Sequence, residues 1–413
     1  MIKIQIADRE GFRQQYLAMI HPSVIIRLKY LRTSLAHLLD PDSIQLDEIV
    51  PVKSFTKAIV DSSVKPARAA GAFNKNKYIE TLKLYQEGAT EIIHVDFVKL
   101  TNLIDHLLIE ESESLRNLLI GEPLDIKGIH DQLFETFEIA TKHEKDVMYL
   151  AFSYEDLGTE VRTYFYDQAI SLYCAYCNIS KANHRKNPKS GRIIDQYQLD
   201  HFFSQTDHPM LALSLFNLVP SDYVCNVPNK GKILFSDEFH LNPYVSGFKR
   251  DMVFKPLFDE LGVHLEAIDL KIMVDRDSHK WKQFIGDADE RDLAPDHGNI
   301  NVFQLYGKYN DRDLLWEVNH LYNTYVSAAK NARSIQDILD IIEEGQNDRY
   351  LNIKIWYEQT SRKHFHEKDF GRLPHSKLYR DLLDHAFGVY AESLGEEVTG
   401  ILEESYQTER GGE

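Results

Sequence analysis

Cys174-Ala-Tyr-Cys177 sets two thiols three residues apart, a spacing at which both thiolates can converge on one metal ion. Further on, Gln198-Leu-Asp-His201 ends a short alternating run with a carboxylate beside an imidazole. Asn217 follows sixteen residues after His201, and Asp222-Tyr-Val-Cys-Asn226 then joins a third cysteine to a second amide. Lys230-Gly-Lys232 closes the stretch. Each piece is common by itself: Cys-x-x-Cys and Asp-His occur often, and isolated asparagines are usually turn or cap residues. The information lies in the order, with paired thiols first, Asp-His next, then Asn, Cys-Asn and Lys-Gly. The chain has only three cysteines, an odd count without a secretion signal, which argues against a disulfide framework.

In that order, residues 174–232 resemble the HNH endonucleases, the ββα-metal nucleases that carry a supporting zinc site. A looser likeness runs through His240-Leu-Asn-Pro-Tyr244 and into Phe303–Gly345. In that longer form the chain resembles the HNH subunits of bacterial anti-phage systems that work beside an ATPase, such as Septu. The resemblance implies that Asp200 binds a catalytic Mg²⁺ or Mn²⁺ and that His201 is the general base. Asn217 would hold the loop or orient His201, Asn226 would be the second protein ligand of the cation, and Lys230 would meet the substrate phosphate. It also implies a DNA substrate, an ATPase partner protein and a place in an oligomeric complex.

Elementary chemistry agrees with those roles. Hydrolysis of a phosphodiester needs a water deprotonated near neutral pH, for which an imidazole is suited. It also needs a cation to neutralise charge developing on the phosphate. Adjacent strand residues point to opposite sides, so Asp200 and His201 can face one site only if the strand ends or bulges at Phe202. On a helix, Asn226 and Lys230 share a face while Cys225 is turned toward its own partners. Pro228 then has to occupy the first turn or kink it.

The family's second thiolate pair would be Cys-x-x-Cys, and here its first position is Asp222. Cys174, Cys177, Asp222 and Cys225 would still bring four negative charges to a structural Zn²⁺, as four cysteines do. His184, His208 and His240 compete as the fourth ligand, and a site without metal is the remaining alternative. His240 reads more simply as a structural anchor. The run Lys181–Arg192 is either a solvated loop or a DNA-contacting one.

These side chains need elements to position them, and the chain around them changes texture accordingly. The expected class is α+β: a ββα-metal HNH nuclease centre with a structural zinc site, flanked by mainly helical N- and C-terminal regions. Four segments are expected: a helical domain over 1–165, the nuclease domain over 166–255, a mixed and then helical domain over 256–391, and an acidic, flexible tail over 392–413. Asp96 should cap a helix with Phe97, Leu100, Ile104, Leu107 and Leu108 on one face. Ala69–Phe73 reads as a turn, Ala267–Val274 as a strand, and Ser334-Ile-Gln-Asp337 as a capping box. Leu315, Val318, Leu321 and Val326 share a helical face, and a last helix should begin at Ser376.

The 413 residues carry 47 basic and 64 acidic side chains, a net −17 that argues against general affinity for phosphate backbones. Residues 178–255 hold ten basic and seven acidic side chains, so this window is +3 and the remainder −20. The charged start and the absence of a long apolar run point to a cytoplasmic protein without membrane contact. Two rival functions share the thiols. One is a zinc-stabilised module that binds nucleic acid or protein without cutting; the other is a ribonuclease.

Overall fold

The computed structural model describes residues 1–40, 42, 95–109, 112–154, 157–168, 172–182, 184–187, 189, 193–195, 197–262, 264–286, 298–331 and 356–393. The expected turn at 69–73, the capping box at 334–337 and the tail beyond 393 lie outside them. The described residues combine helices with three two-stranded antiparallel sheets, an α+β arrangement.

On the N-terminal side stand α1 (Arg9–Leu39), α2 (Phe97–Leu107), α3 (Glu113–Ile120), α4 (Ile126–Thr136), α5 (Lys142–Tyr149) and α6 (Thr159–Gln168). Along α1 the buried positions Phe12, Tyr16, Ile20, Val24, Leu28, Leu31, Leu35 and Leu38 recur every three or four residues, one continuous stripe. That stripe packs on α2, α3 and α6. Asp96 starts α2 as expected, its carboxylate accepting from the amides of Val98 and Lys99. Thr141 and Glu144 form a reciprocal capping box on α5.

Three strand pairs follow. β1 (His184–Lys186) pairs with β2 (Ile193–Asp195), β3 (Gln198–His201) with β4 (Leu218–Ser221), and β5 (Met252–Phe258) with β6 (Leu265–Ile272). The last strand begins and ends two residues earlier than its apolar pattern suggested. Its register against β5, with an irregularity at Leu257/Phe258, sets the limits instead. After α7 (His279–Ile285), α8 (Asn299–Val302) and α9 (Leu305–Tyr309), the long α10 (Arg312–Asn331) packs on α11 (Ser376–Ser393). These two cover β6 and β5 respectively. Buried apolar side chains from Met1 to Ala386 form one connected core.

Both flanks grip the centre. Tyr16 donates to the Leu213 carbonyl at 2.9 Å, Ser214 to that of Leu118, and α3, α4 and α5 pack against the short turn Pro209–Leu211. From the other side, Tyr309 donates to the Cys177 carbonyl at 2.7 Å, and Asn178 to that of Phe370 at 3.1 Å. The loop between β3 and β4 is therefore held by α1 and α3, and the cysteine turn by the C-terminal helices.

Candidate metal centre and the adjoining cleft

The chain folds back at 174–178 because Asn178 adopts a left-handed conformation (φ 55°), which asparagine tolerates well. Its amide donates to the Cys174 carbonyl at 2.8 Å, so the two cysteines of the turn face the same way. Asp222 and Cys225 arrive from the end of β4. Asp222 Oδ1 accepts from the amides of Val224 (2.7 Å) and Cys225 (3.1 Å), capping the helical turn that follows. Its other oxygen, Oδ2, lies 3.4 Å from Cys177 Sγ.

Cys174, Cys177, Asp222 and Cys225 are all buried, and each offers one donor atom within 4.8 Å of the others. This is a set of soft thiolates and one carboxylate that could hold a metal ion such as zinc. Two of the other fourth-ligand candidates are placed elsewhere: His208 sits beside His130 and Asp131, and His240 stacks on Phe235 at 3.9 Å, while the side chain of the third, His184, lies outside those described. His240 also accepts from the Ser236 amide, so it anchors its own loop. Burial pushes the Cys174 thiol up, whereas Cys177 is held well below the usual thiol range by hydrogen bonds from Cys174 and Cys225. Lys308, unforeseen from the sequence, donates to Cys225 Sγ at 3.0 Å and offsets part of the cluster's negative charge.

The segment Cys225–Lys230 is a single wide π-type turn containing Pro228, closed by Gly231 N donating to Asn226 O at 3.0 Å. Proline lacks the amide that a tighter α-turn would use, and the widened turn absorbs its ring. Cys225 points to the thiol cluster, while Asn226 and Lys230 line the cleft on the other side. One turn thus serves both places.

That cleft, about 580 Å³, is also lined by Asp200, His201, Tyr154, Ser204, Asp207 and Lys232. β3 ends at His201, as the alternation rule required for two adjacent residues to reach one site. Asp200 is buried, and both of its carboxylate oxygens are engaged. Lys230 Nζ lies 2.7 Å from Oδ1 and 2.8 Å from Oδ2, and Tyr176 donates to Oδ2 at 2.6 Å. Lys230, expected at a substrate phosphate, is thus itself a buried cation on Asp200, and it also donates to the His201 carbonyl. Burial lowers the Lys230 pKa against the opposing pull of Asp200.

His201 is half-buried, edge-on to the Tyr154 ring at 4.8 Å, with Nε2 at 3.0 Å from the Ala212 carbonyl. A carbonyl accepts only, so Nε2 carries the proton and Nδ1 the lone pair. Burial lowers the His201 pKa to about 4. Asn217, fully buried, donates to the carbonyls of Phe203 (3.1 Å) and Leu211 (2.9 Å) and accepts from the Phe203 amide (2.7 Å). It secures the loop one residue before Ala212 and so orients His201 at second hand. Asn226 donates to Gln198 Oε1 at 2.6 Å, which leaves its carbonyl oxygen as the candidate ligand. Most side chains of the basic run 181–192 lie outside those described.

Tyr176, Lys308 and the Ala212 carbonyl escaped sequence reasoning. Of the three, only Tyr176 left a signal, a hydroxyl held between two cysteines. Among the described residues no helix is long and apolar enough to cross a membrane. No family model and no solved structure matches the chain. A stretch of 102 residues is similar to "Protein ea31" of Escherichia phage lambda, at 29% identity over 24% of this chain and 30% of that protein's length.

Proposed function

We propose that this chain is a metal-dependent HNH endonuclease that hydrolyses DNA, its centre a ββα-metal unit formed by β3, β4 and the turn at 225–230. The observation that carries the reading is the meeting of Asp200, His201, Asn226 and Lys230 on one cleft, beside a buried thiol cluster that shares the same turn. Asp200 and Asn226 supply hard oxygen donors suited to Mg²⁺ or Mn²⁺, and the ammonium on Asp200 marks a position that already favours a cation. When bound, such an ion would offset charge on the phosphate and stabilise the leaving oxygen.

His201 has the remaining task. With Nε2–H tied to Ala212, its Nδ1 lone pair can take a proton from an attacking water. Asn217 keeps that tautomer by holding the loop. Lys230 can offer its ammonium to the phosphate once it leaves Asp200. Zn²⁺ on Cys174, Cys177, Asp222 and Cys225 would act structurally, with no part in the hydrolysis. The local +3 favours a polyanionic substrate, and the −20 elsewhere would keep the idle enzyme off DNA until an ATPase partner presents it.

One observation favours a second reading. Lys230 and Tyr176 occupy both oxygens of Asp200, as they would in a zinc-stabilised module that binds nucleic acid or protein without cutting. Wild type and His201→Ala separate the two when both retain zinc and native circular dichroism. A nuclease nicks plasmid DNA with Mg²⁺ or Mn²⁺ only as wild type. Equal behaviour of the two proteins supports the binding module, and cleavage confined to a parallel RNA digest makes the chain a ribonuclease.

A further inference from the structure

A second group of metal-binding side chains lies away from both the thiol cluster and the residues assigned to hydrolysis. His130 and Asp131 come from α4, and His208 comes from the loop between β3 and β4, immediately before the turn Pro209–Leu211. The three offer donor atoms that all lie within 4.8 Å of one another. Asp131 Oδ1 is the pivot, 2.9 Å from His130 Nδ1 and 3.8 Å from His208 Nε2. Ligand atoms around a tetrahedral zinc stand roughly 3.3 Å apart at the usual bond lengths, between those two values.

The ring nitrogens that do not face Asp131 are buried and unpartnered, so neither imidazole is fixed by a hydrogen bond on its outer side. His130 is 2% exposed, and its Nε2 is buried without a hydrogen bond; His208 Nδ1 is in the same state. Two of the four ring nitrogens therefore have no partner among the described residues. Apolar contacts fix the rings: His130 lies 4.2 Å from Phe134, His208 lies 5.7 Å from Phe203, and the two imidazoles are 5.0 Å apart at 60°. Asp131 is the solvent-facing member, 45% exposed, and gives an ion a way in. Its other oxygen pairs with Lys127, a half-exposed lysine whose head group can turn to water.

We propose that His130, Asp131 and His208 form a second divalent transition-metal site, of the two-imidazole, one-carboxylate kind that takes Zn²⁺, and that it fastens α4 to the loop between β3 and β4. The nearby packing makes that loop a meaningful place for a fastening. Asp207, next to His208, lines the cleft, and the same loop carries the Ala212 carbonyl that holds His201. The site itself does not depend on the nuclease reading.

The test uses the full chain, stripped with a chelator and dialysed against micromolar Zn²⁺, with bound metal counted by mass spectrometry. Wild type should retain one equivalent more than His208→Gln and one more than Asp131→Asn, each with unchanged circular dichroism. Titrated with Co²⁺, the lost equivalent should contribute visible ligand-field bands without the near-ultraviolet thiolate charge transfer that marks the cysteine cluster. A readout without mutation guards against misfolded variants: Zn²⁺ should slow hydrogen–deuterium exchange at the imidazole C2 of His130 and His208 in wild type. Equal zinc content in wild type and folded variants would overturn the site. So would imidazole exchange that Zn²⁺ leaves unchanged.

Discussion

The ammonium of Lys230 lies 2.7 Å and 2.8 Å from the two carboxylate oxygens of Asp200, with both side chains nearly excluded from solvent. On the proposed reading Asp200 holds a divalent ion, so ion entry and Lys230 departure should be linked. Removing one member of a buried pair strands the other and typically costs about 3–5 kcal/mol. Lys230→Met should therefore lower the melting temperature without added metal. Mg²⁺ should then restore part of that loss in the variant while raising wild type less. Differential scanning calorimetry with and without Mg²⁺ reads both effects, and a variant indifferent to Mg²⁺ would count against a cation at Asp200.

Tyr176 spans the two centres, its backbone in the cysteine turn and its hydroxyl on Asp200 Oδ2. Tyr176→Phe removes one donor to a buried carboxylate, an effect of about 1–3 kcal/mol. The variant should keep its zinc yet need a different Mg²⁺ concentration for half-maximal cleavage. Metal analysis beside a Mg²⁺ titration checks this, and an unchanged titration would make the hydroxyl merely structural.

Cys174→Ser should unfold the centre, because a structural zinc site contributes folding energy directly. A strong chelator should reproduce the loss in wild type. The far helices, with their own buried stripe along α1, should lose less protection in hydrogen exchange than residues 172–231. A variant melting with wild type would deny the thiols an anchoring role.

Asn217 makes three hydrogen bonds from full burial, all within the loop that carries Ala212. Asn217→Ala leaves those backbone groups unpaired and should destabilise the chain by about 2–4 kcal/mol. Below its melting point the remaining folded protein should still cut more slowly than wild type, since His201 loses its fixed carbonyl. Rates corrected for folded fraction test that separation.

The pH profile follows from His201. Burial holds its pKa at about 4; Ala212 and Asp200 pull it up, Lys230 pulls it down, and the Tyr154 ring contributes no charge. A base must be unprotonated, so protonation of His201 should not slow single-turnover cleavage between pH 7 and pH 5. The acid limb should instead fall near pH 4. A midpoint near 6.5 would indicate a solvent-exposed imidazole.

Much of the local architecture was legible because it depends on near neighbours. Asp96 before a 3.6-residue apolar face specified the start of α2, and the strand end at His201 followed from the need to aim two adjacent side chains at one site. The three cysteines of the cluster were legible from spacing and order, whereas Asp222 came only from the family resemblance and left three histidines as rivals. The partners of long charged side chains were not, because those are set by distant packing. Lys308 reaches Cys225 across 83 residues, and Lys230 finds Asp200 across 30. The π-type turn was hidden for another reason: Pro228 signals a disturbance, but whether the chain kinks or widens is decided by what Asn226 and Cys225 must each reach.

Crystals of the chain with a short DNA duplex and Mn²⁺, measured for manganese anomalous scattering, test the central claim most directly. A manganese peak is expected on Asp200 and the Asn226 carbonyl oxygen, with the Lys230 ammonium moved onto a phosphate and His201 Nδ1 facing a water beside the scissile bond. DNA bound in the cleft with no manganese there, and Lys230 still on both oxygens of Asp200, would contradict it.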